Sequence, residues 1–151
     1  MKWLLLFESF KRRTHNLAGV AVIVGNRILL VHPKKFKRYN NKWSIPKGHV
    51  ESTNSLISAL KELREETGIR LNMNYDDYLE LEYTKSGFDK KLEVYIYRLS
   101  KSDIHKYLDK GWKVKDNLYD RKEILKSKFI RINKAYNKVE PFLLTLLDYI
   151  K

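Results

Sequence analysis

Three glutamates lie close together in the middle of the chain: Glu65 and Glu66 follow Glu62 by three and four residues. On a helix these intervals place the side chains on one flank, where their negative charges repel one another. A divalent cation would remove the repulsion, and a set of oxygen ligands suits Mg²⁺ or Mn²⁺ better than zinc. The spacing therefore indicates a carboxylate metal site. The alternative for the same pattern is an ordinary charged helix face.

The element that must position these carboxylates is a helix over residues 54–67. Asn54 is a favourable N-cap, and Gly68 occupies the position where a helix commonly ends. At about 100° per residue, the apolar residues of the segment form one stripe, and the three glutamates border it. We therefore expect the carboxylates at the rim between core and solvent. The stripe consists of Leu56, Ala59, Leu60, Leu63 and Thr67.

The helix and the preceding loop WSIPKGHVE together resemble the signature of the Nudix hydrolases. That signature reads Gly, five residues, Glu, seven residues, then Arg-Glu-hydrophobic-any-Glu-Glu-any-Gly-hydrophobic. The upstream glycine is Gly48, in the loop that precedes the helix. A motif of this kind gains weight from its loop–helix context. The matching residues of its second half are Glu62, Leu63, Glu65, Glu66, Gly68 and Ile69.

Two positions depart from that signature. Lys61 stands where the family has Arg, and the interval from Gly48 to Lys61 is one residue short. Thr53 or Asn54 therefore falls where the family has its first Glu. We interpret the difference as a shortened turn around residues 51–53. Glu51 is a candidate to replace the absent glutamate or to pair with Lys61, and the alternative is an ordinary turn residue.

The chain also carries a series of predicted strands on both sides of the helix. Residues 16–24 and 27–32 form a predicted hairpin with a Gly-Asn turn, and residues 78–84 and 92–99 form a second antiparallel pair. A strand over 128–132 and an amphipathic helix over 141–150 complete an α/β or α+β domain. The resemblance implies the Nudix α/β/α sandwich, a mixed sheet flanked by helices, as one domain over residues 1–151 with the signature at 48–69.

The resemblance assigns roles to the acidic residues. Glu62, Glu65 and Glu66 would hold Mg²⁺ or Mn²⁺, and the Gly48 carbonyl would add a ligand. Glu65, Glu66 or a later glutamate would act as the base. Glu123 is the later candidate because it precedes Phe129 by six residues. The alternative for Glu123 is a solvated charge among neighbouring cations.

Five further residues are candidates for substrate binding. Lys34, Lys47 and His49 are suited to polyphosphate, and Lys47 is the best placed because it precedes Gly48. Tyr83 and Tyr95 are candidates to stack on a base. The alternatives are a solvated loop for the lysines, a loop cap for His49 and core packing for the tyrosines.

Composition limits the class of protein. The 151 residues include no Cys, which excludes disulfides, thiol nucleophiles and cysteine metal sites. The net charge of +13 favours nucleotides, RNA or polyphosphates as partners, or else a lysine-rich solvated surface. The apolar run at residues 3–7 is too short for a signal peptide or a membrane span, so we expect a cytoplasmic protein without membrane contact. Monomer and homodimer remain open.

These features predict a metal-dependent pyrophosphohydrolase that cleaves a diphosphate linkage in a nucleoside diphosphate derivative by attack of water on phosphorus. The substrates suggested are dinucleoside polyphosphates, ADP-ribose or similar molecules, because the loop is most similar to members acting on dinucleoside polyphosphates or RNA 5′ ends. The alternatives are an RNA 5′-end pyrophosphohydrolase (a decapping enzyme) and a catalytically weak Nudix-fold module that binds nucleotides or RNA. A basic RNA-binding protein with a chance trio of glutamates is a third reading.

Overall fold

The computed structural model describes residues 16–33, 42–51, 53–118 and 124–151. Within them, six strands form one sheet in the order β4-β5-β1-β2-β6, and β3 pairs with β1 outside that path. The β1–β5 pair is parallel and the others are antiparallel. The mixed sheet and its helices confirm the α/β class predicted from the sequence. The strands are β1 (Asn16–Val24), β2 (Arg27–Pro33), β3 (Lys47–His49), β4 (Asp77–Lys85), β5 (Phe88–Leu99) and β6 (Ile124–Arg131).

Four α-helices lie in the described residues: α1 (Ser55–Thr67), α2 (Lys101–Ile104), α3 (Ile132–Ala135) and α4 (Leu144–Ile150). The predicted helix over 54–67 is confirmed as α1. The predicted C-terminal helix opens with a 3₁₀ turn at Pro141–Leu143 before α4 begins. Short 3₁₀ turns follow α2 and carry the chain towards β6. None of the helices in the described ranges is long and apolar enough to cross a membrane.

The central strand β1 is buried on both faces, as its apolar sequence predicts. Odd-numbered residues such as Ala21 and Ile23 face a core shared with α4. Even-numbered residues such as Val20 and Val22 face a second core shared with α1. The turn to β2 uses Gly25 at a φ of 60°, a left-handed conformation that glycine adopts without steric cost. The sheet thus separates two apolar layers, and the site lies at the β3 edge of the α1 layer.

Helix α1 is fixed at both ends by the predicted caps. Asn54 Oδ1 accepts hydrogen bonds from the backbone N–H of Leu56 at 2.9 Å and of Ile57 at 3.4 Å. Gly68 takes the left-handed conformation, and its N–H donates to the Arg64 carbonyl at 2.8 Å. Because Leu63 is fully buried against the sheet, the glutamates beside it are held in a defined rotation about the helix axis.

Candidate active site

Glu62 and Glu66 form a carboxyl pair on α1. Glu66 is buried and Glu62 is half-buried, and the two side chains are hydrogen-bonded to each other. The backbone N–H of Lys47 donates to Glu66 Oε2 at 3.2 Å. Burial, followed by the negative charge of Glu62, holds the pKa of Glu66 well above its usual value. Burial also raises the pKa of Glu62. The pair is therefore held where a proton or a cation must offset its charge.

Gly48 lies directly against this pair. Strand β3 pairs Gly48 with Ala18 of β1, which brings its backbone over the Glu62 side chain. A Cβ added to Gly48 would overlap the Glu62 carboxyl group and lie 2.6 Å from its Cγ. Since real Cβ atoms do not approach carbon so closely, a side chain at position 48 would displace the Glu62 carboxyl group from its present position. The glycine of the signature thus allows the loop backbone and a glutamate side chain to share one site.

Glu65 lies at the outer border of the pair. Its side chain is half exposed, and its Oε1 is 3.9 Å from Lys61 Nζ. Its charge still raises the pKa of Glu62. The structure therefore brings Glu62 and Glu66 into one partly buried pair and leaves Glu65 at the solvent edge.

Lys61 and Glu51 form an ion pair, called the brace below, between the turn after β3 and α1. Lys61 Nζ lies 2.9 Å from Glu51 Oε2, and both side chains are largely exposed. This hydrogen bond lowers the pKa of Glu51 and raises the pKa of Lys61. The Glu51 N–H also donates to Ser58 Oγ at 3.2 Å, which ties the turn to the first half of α1. Of the alternatives given for Glu51 from the sequence, the structure thus shows the pairing with Lys61.

Lys47 points to the opposite side of β3 from Gly48. Its ammonium lies 6.0 Å from the centre of the Phe142 ring, which is stacked on Tyr83 with centroids 4.0 Å apart. Burial lowers the pKa of Lys47, and the charges of Glu140 and Glu66 act in the opposite direction. Lys47 therefore links the carboxyl pair, through its backbone, to an aromatic and charged cluster beyond the edge of the sheet.

A cleft of about 620 Å³ opens beside Tyr83. It lies between the β4–β5 hairpin and Asn16, the first residue of β1. His49, the last residue of β3, is exposed. The remaining residues that line the cleft are Asn16, Glu82, Thr84, Asp89, Lys90 and Lys91.

Tyr95 is not part of this cluster. It is buried in the α1 layer, where its hydroxyl is hydrogen-bonded to Ser55 Oγ and its ring contacts Tyr75 and Tyr78. Burial raises its pKa. Tyr83 belongs to the opposite layer, so the structure separates the two tyrosines that the sequence grouped as base-stacking candidates. Two other candidates, Lys34 and Glu123, lie outside the described residues.

Sequence reasoning did not identify Phe142 and Glu140, which lie close to the Lys47 ammonium. Both belong to the C-terminal segment, where Phe142 reads as one apolar residue of an amphipathic helix. In the structure Phe142 stacks on Tyr83, and Lys85 Nζ lies 3.7 Å from Glu140 Oε1. No local motif marks either residue, because their position depends on the docking of the C-terminal segment against β4.

Comparison with known proteins places this fold and site in a family. The NUDIX domain family model matches residues 13–148, and the chain belongs to that family. The chain is also similar to a protein named putative hydrolase 111R of Invertebrate iridescent virus 3, with 41% identity over 58 residues. That match covers 37% of this chain and only 31% of the viral protein, so the chain spans about a third of that relative.

Solved structures show the same fold at low sequence identity. The Ap4A hydrolase of C. elegans has a TM-score of 0.62 and 19% identity, covering 90% of this chain and 94% of that chain. The NUDIX domain of Shewanella oneidensis NrtR, solved with ADP ribose, has a TM-score of 0.65 and 11% identity, covering 88% and 83%. A MutT NUDIX hydrolase from Burkholderia pseudomallei has a TM-score of 0.61 and 14% identity, covering 91% and 98%. At these identities the likeness shows a shared fold, in agreement with the family membership.

Nudix proteins generally use divalent metals, so the fit of the residues to such an ion can be tested. Among the described residues, no group of three or more His, Cys, Asp or Glu side chains converges as a ready-made cation cage. The Glu62–Glu66 pair nevertheless offers the carboxylate oxygens of one half-buried and one buried side chain, and burial, followed by the charge of Glu62, raises the pKa of Glu66. Carboxylate and backbone oxygens are the ligands that Mg²⁺ and Mn²⁺ prefer. The donor set therefore fits a hard divalent cation.

Proposed function

We propose that the chain is a pyrophosphohydrolase dependent on Mg²⁺ or Mn²⁺ that cleaves a diphosphate linkage in a nucleoside diphosphate derivative. The observation that carries the proposal is the pair formed by buried Glu66 and half-buried Glu62, packed against Gly48. An isolated pair of buried carboxylates costs folding free energy, so its retention is better accounted for by a ligand than by packing. A diphosphate bridged to a cation is the ligand that this family context supports.

In this mechanism the carboxyl pair would hold the metal, and the backbone of β3 and α1 would keep the carboxylates aligned. When bound, a divalent cation neutralises charge on the phosphoryl oxygens and makes water a better nucleophile. Glu62 and Glu66 are the proposed ligands, with the Gly48 carbonyl as a third. The Lys47 N–H keeps Glu66 oriented through its 3.2 Å hydrogen bond. The rigid strand and helix thereby fix the site before substrate arrives.

Glu65 is the proposed acceptor of the proton from the attacking water. Its carboxylate lies at the solvent edge of the pair, where water has access, and Lys61 lies 3.9 Å away on its other side. Glu66 is less suited to this task because its carboxyl is buried and already accepts from Lys47. Glu123 remains a sequence-based candidate for the same role.

The nucleoside part of the substrate is proposed to bind in the cleft beside Tyr83. A volume of about 620 Å³ falls within the range usual for nucleotide-sized ligands. Lys90 and Lys91 line the cleft, and the Lys47 ammonium lies 6.0 Å from the Phe142 ring that stacks on Tyr83. These positive charges suit a polyphosphate chain. We favour dinucleoside polyphosphates and ADP-ribose as substrates, on the fold likeness to an Ap4A hydrolase and to a domain solved with ADP ribose.

One observation favours a second candidate, a weakly active Nudix-fold module that binds nucleotides or RNA. Only two of the three glutamates form the partly buried pair, and the third is drawn toward Lys61. Such a protein would bind the same nucleotides without releasing product. An RNA 5′-end pyrophosphohydrolase is a variant of the first proposal that differs only in the leaving group.

A substrate panel separates these candidates. The protein is incubated with diadenosine polyphosphates, ADP-ribose, NADH and 5′-triphosphorylated RNA in Mg²⁺, in Mn²⁺ and in EDTA, and products are separated by chromatography. We expect metal-dependent hydrolysis of at least one substrate, with ¹⁸O from labelled water in a phosphoryl product. Binding of a nucleotide without turnover in either metal would instead support the module, and turnover of the RNA alone would identify the 5′-end enzyme.

A further inference from the structure

A group of cationic side chains surrounds Trp112, at the far end of the sheet from the carboxyl pair. Gly48 pairs with Ala18 near the start of β1, whereas Arg27 pairs with Val24 at the opposite end of that strand. The Arg27 guanidinium carbon lies 4.6 Å from the centre of the Trp112 ring. The Lys101 ammonium lies 4.7 Å from the same centre. One indole therefore holds two cations from different elements.

A third cation adds to this group. Arg131 of β6 is the direct cross-strand partner of Arg27, so both side chains leave the same face of the sheet. Like charges directly opposite each other in a sheet are destabilising. Within the described ranges, none of Arg27, Arg131 and Lys101 forms an ion pair with a carboxylate. The Arg27 guanidinium instead donates to the Phe129 carbonyl at 3.2 Å, which holds it in place.

The backbone that presents the indole is unusual. Gly111 and Trp112 have φ values of 71° and 61°, so a large aromatic residue occupies the left-handed region. Non-glycine residues with positive φ are uncommon, and a bulky aromatic one requires support from its surroundings. The ring packs at 6.2 Å on Phe129 and remains partly exposed. The fold thus holds the indole, and with it the two cations, at the surface.

Within residues 100–118, the acidic side chains do not neutralise the group. Residues 100–118 contain five lysines and three aspartates, and the two arginines add to the excess. Asp103 is bonded to the Ser100 backbone N–H at 2.8 Å, and Asp116 lies 3.4 Å from Lys113. Asp109, the third aspartate, is exposed and directly precedes Lys110. The surface around Trp112 is therefore electropositive and suited to an anion.

We propose that Trp112, Arg27, Lys101 and Arg131 form a binding site for the phosphate backbone of a single-stranded nucleic acid. Cations held over an aromatic ring lose less conformational freedom when they bind phosphate, and guanidinium groups match phosphate oxygens with two parallel hydrogen bonds. An indole among cations also offers a face to an unpaired base once a cation turns to the phosphate.

The surface around Trp112 favours nucleic acid over a protein partner. Protein interfaces are centred on buried aromatic and aliphatic anchors with few charges at the core. Among the described residues, the large apolar side chains that are well exposed are Ile57, Met73, Tyr75, Tyr78, Phe88 and Tyr149, none of which belongs to this group. The site thus combines one aromatic ring with several cations and lacks an apolar patch.

The test measures binding in EDTA, where hydrolysis is absent, so its outcome is separate from that of the proposed function. A 3′-labelled oligonucleotide of about twelve nucleotides with a 5′-hydroxyl matches the usual length of such sites. Fluorescence anisotropy gives Kd for single-stranded RNA, single-stranded DNA and a duplex at several salt concentrations. We expect single strands to bind more tightly than the duplex. A preference for RNA or for DNA identifies which strand is the natural one.

Variants locate the binding surface. We expect Arg27→Ala, Lys101→Ala and Arg131→Ala each to weaken binding several-fold and to reduce the salt slope of log Kd by about one. Lys138→Ala removes one exposed charge elsewhere and serves as the control, with a smaller effect. Trp112→Phe should retain more affinity than Trp112→Ala. Because Trp112→Ala alters a packed turn, Arg131→Ala, which is exposed, decides the matter if that variant does not fold.

Three results would overturn the proposal. The first is an absence of single-strand binding at low salt. The second is an equal loss of affinity in Arg131→Ala and Lys138→Ala, which would assign binding to net charge alone. The third is equally tight binding of a poly-glutamate peptide, with the same sensitivity to Arg27→Ala and Arg131→Ala, which would assign the surface to an acidic protein.

Discussion

The Lys61 ammonium lies 2.9 Å from the Glu51 carboxylate, so the turn after β3 is tied to the middle of α1. The pair spans the place where the chain is one residue shorter than the family signature. Both side chains are largely exposed, and exposed ion pairs contribute little to the free energy of unfolding. We therefore expect the pair to affect the orientation of α1 relative to Gly48, and hence kcat, more than the free energy of unfolding.

This brace can be tested by exchanging the charges. We expect Glu51→Lys and Lys61→Glu each to lower kcat while the melting temperature changes little. The double variant, Glu51→Lys with Lys61→Glu, should recover much of kcat because it restores attraction with reversed polarity. Steady-state kinetics and thermal melts of the four proteins check this. Equal kcat in all four would show that the pair has no positioning role.

The contact between Gly48 and Glu62 gives a second expectation. In Gly48→Ala the new methyl group would overlap the Glu62 carboxyl, so that carboxylate must move. We expect an activity loss of roughly a hundredfold, comparable to removing one electrostatic group from an active site. Gly87→Ala is the control for a glycine in open space: Gly87, unlike Gly48, has a positive φ, but no atom lies within 4 Å of its Cβ position. Activity equal in both variants would refute the role given to Gly48.

Lys47 should affect substrate affinity more than stability. Burial lowers the pKa of its ammonium, so replacing it with methionine removes a desolvated charge from an aromatic cluster. We expect Lys47→Met to raise KM for a polyphosphate substrate about tenfold, which corresponds to one charge-assisted contact. The melting temperature should stay unchanged or rise. Lys138→Met is the control, and a fall in melting temperature without a change in KM would indicate a structural role only.

Core packing under the site gives a stability expectation. Leu63 is fully buried between α1 and the sheet, directly beside Glu62. We expect Leu63→Ala to lower the free energy of unfolding by about 2–5 kcal/mol, as for other buried leucines. Ile57→Ala, on the exposed side of the same helix, should cost less than about 0.5 kcal/mol. Urea titrations of both variants measure the difference, and equal costs would contradict the burial assigned to Leu63.

The sequence predicted the local elements of this site well. Asn54 and Gly68 delimit α1 because capping is a property of a few adjacent residues. The hairpin at Gly25 and the placement of Gly48 before the helix follow from equally local signals. The helical spacing also predicted that the glutamates share one flank. Which of them would be buried was not contained in that spacing, since it depends on how far α1 is rotated against β1 and β3.

The separation of Tyr83 from Tyr95 was not contained in the strand pattern. Alternation within each strand predicts which of its own residues share a face, but not which residues of the neighbouring strand lie on that same face. The register pairs Tyr95 with Tyr78 and Tyr83 with Lys90, so odd positions of β4 face even positions of β5. Register is fixed by the turn at residues 86 and 87 and by both cores together, and strand periodicity alone does not contain it. Phe142 and Glu140 were missed because they reach the site only through the packing of the C-terminal segment.

The most direct test of the central claim combines metal dependence with the carboxyl pair. Glu62→Gln and Glu66→Gln keep the size of each side chain and remove its charge, while Glu93→Gln removes a carboxylate that contacts Tyr78 instead. Mn²⁺ affinity is measured by electron paramagnetic resonance, and hydrolysis of the best substrate in Mg²⁺ is measured in parallel. We expect both Glu62→Gln and Glu66→Gln to weaken Mn²⁺ binding and to reduce kcat by roughly a hundredfold or more, with Glu93→Gln unaffected. Full activity in Glu66→Gln, or unchanged activity in EDTA, would contradict the account.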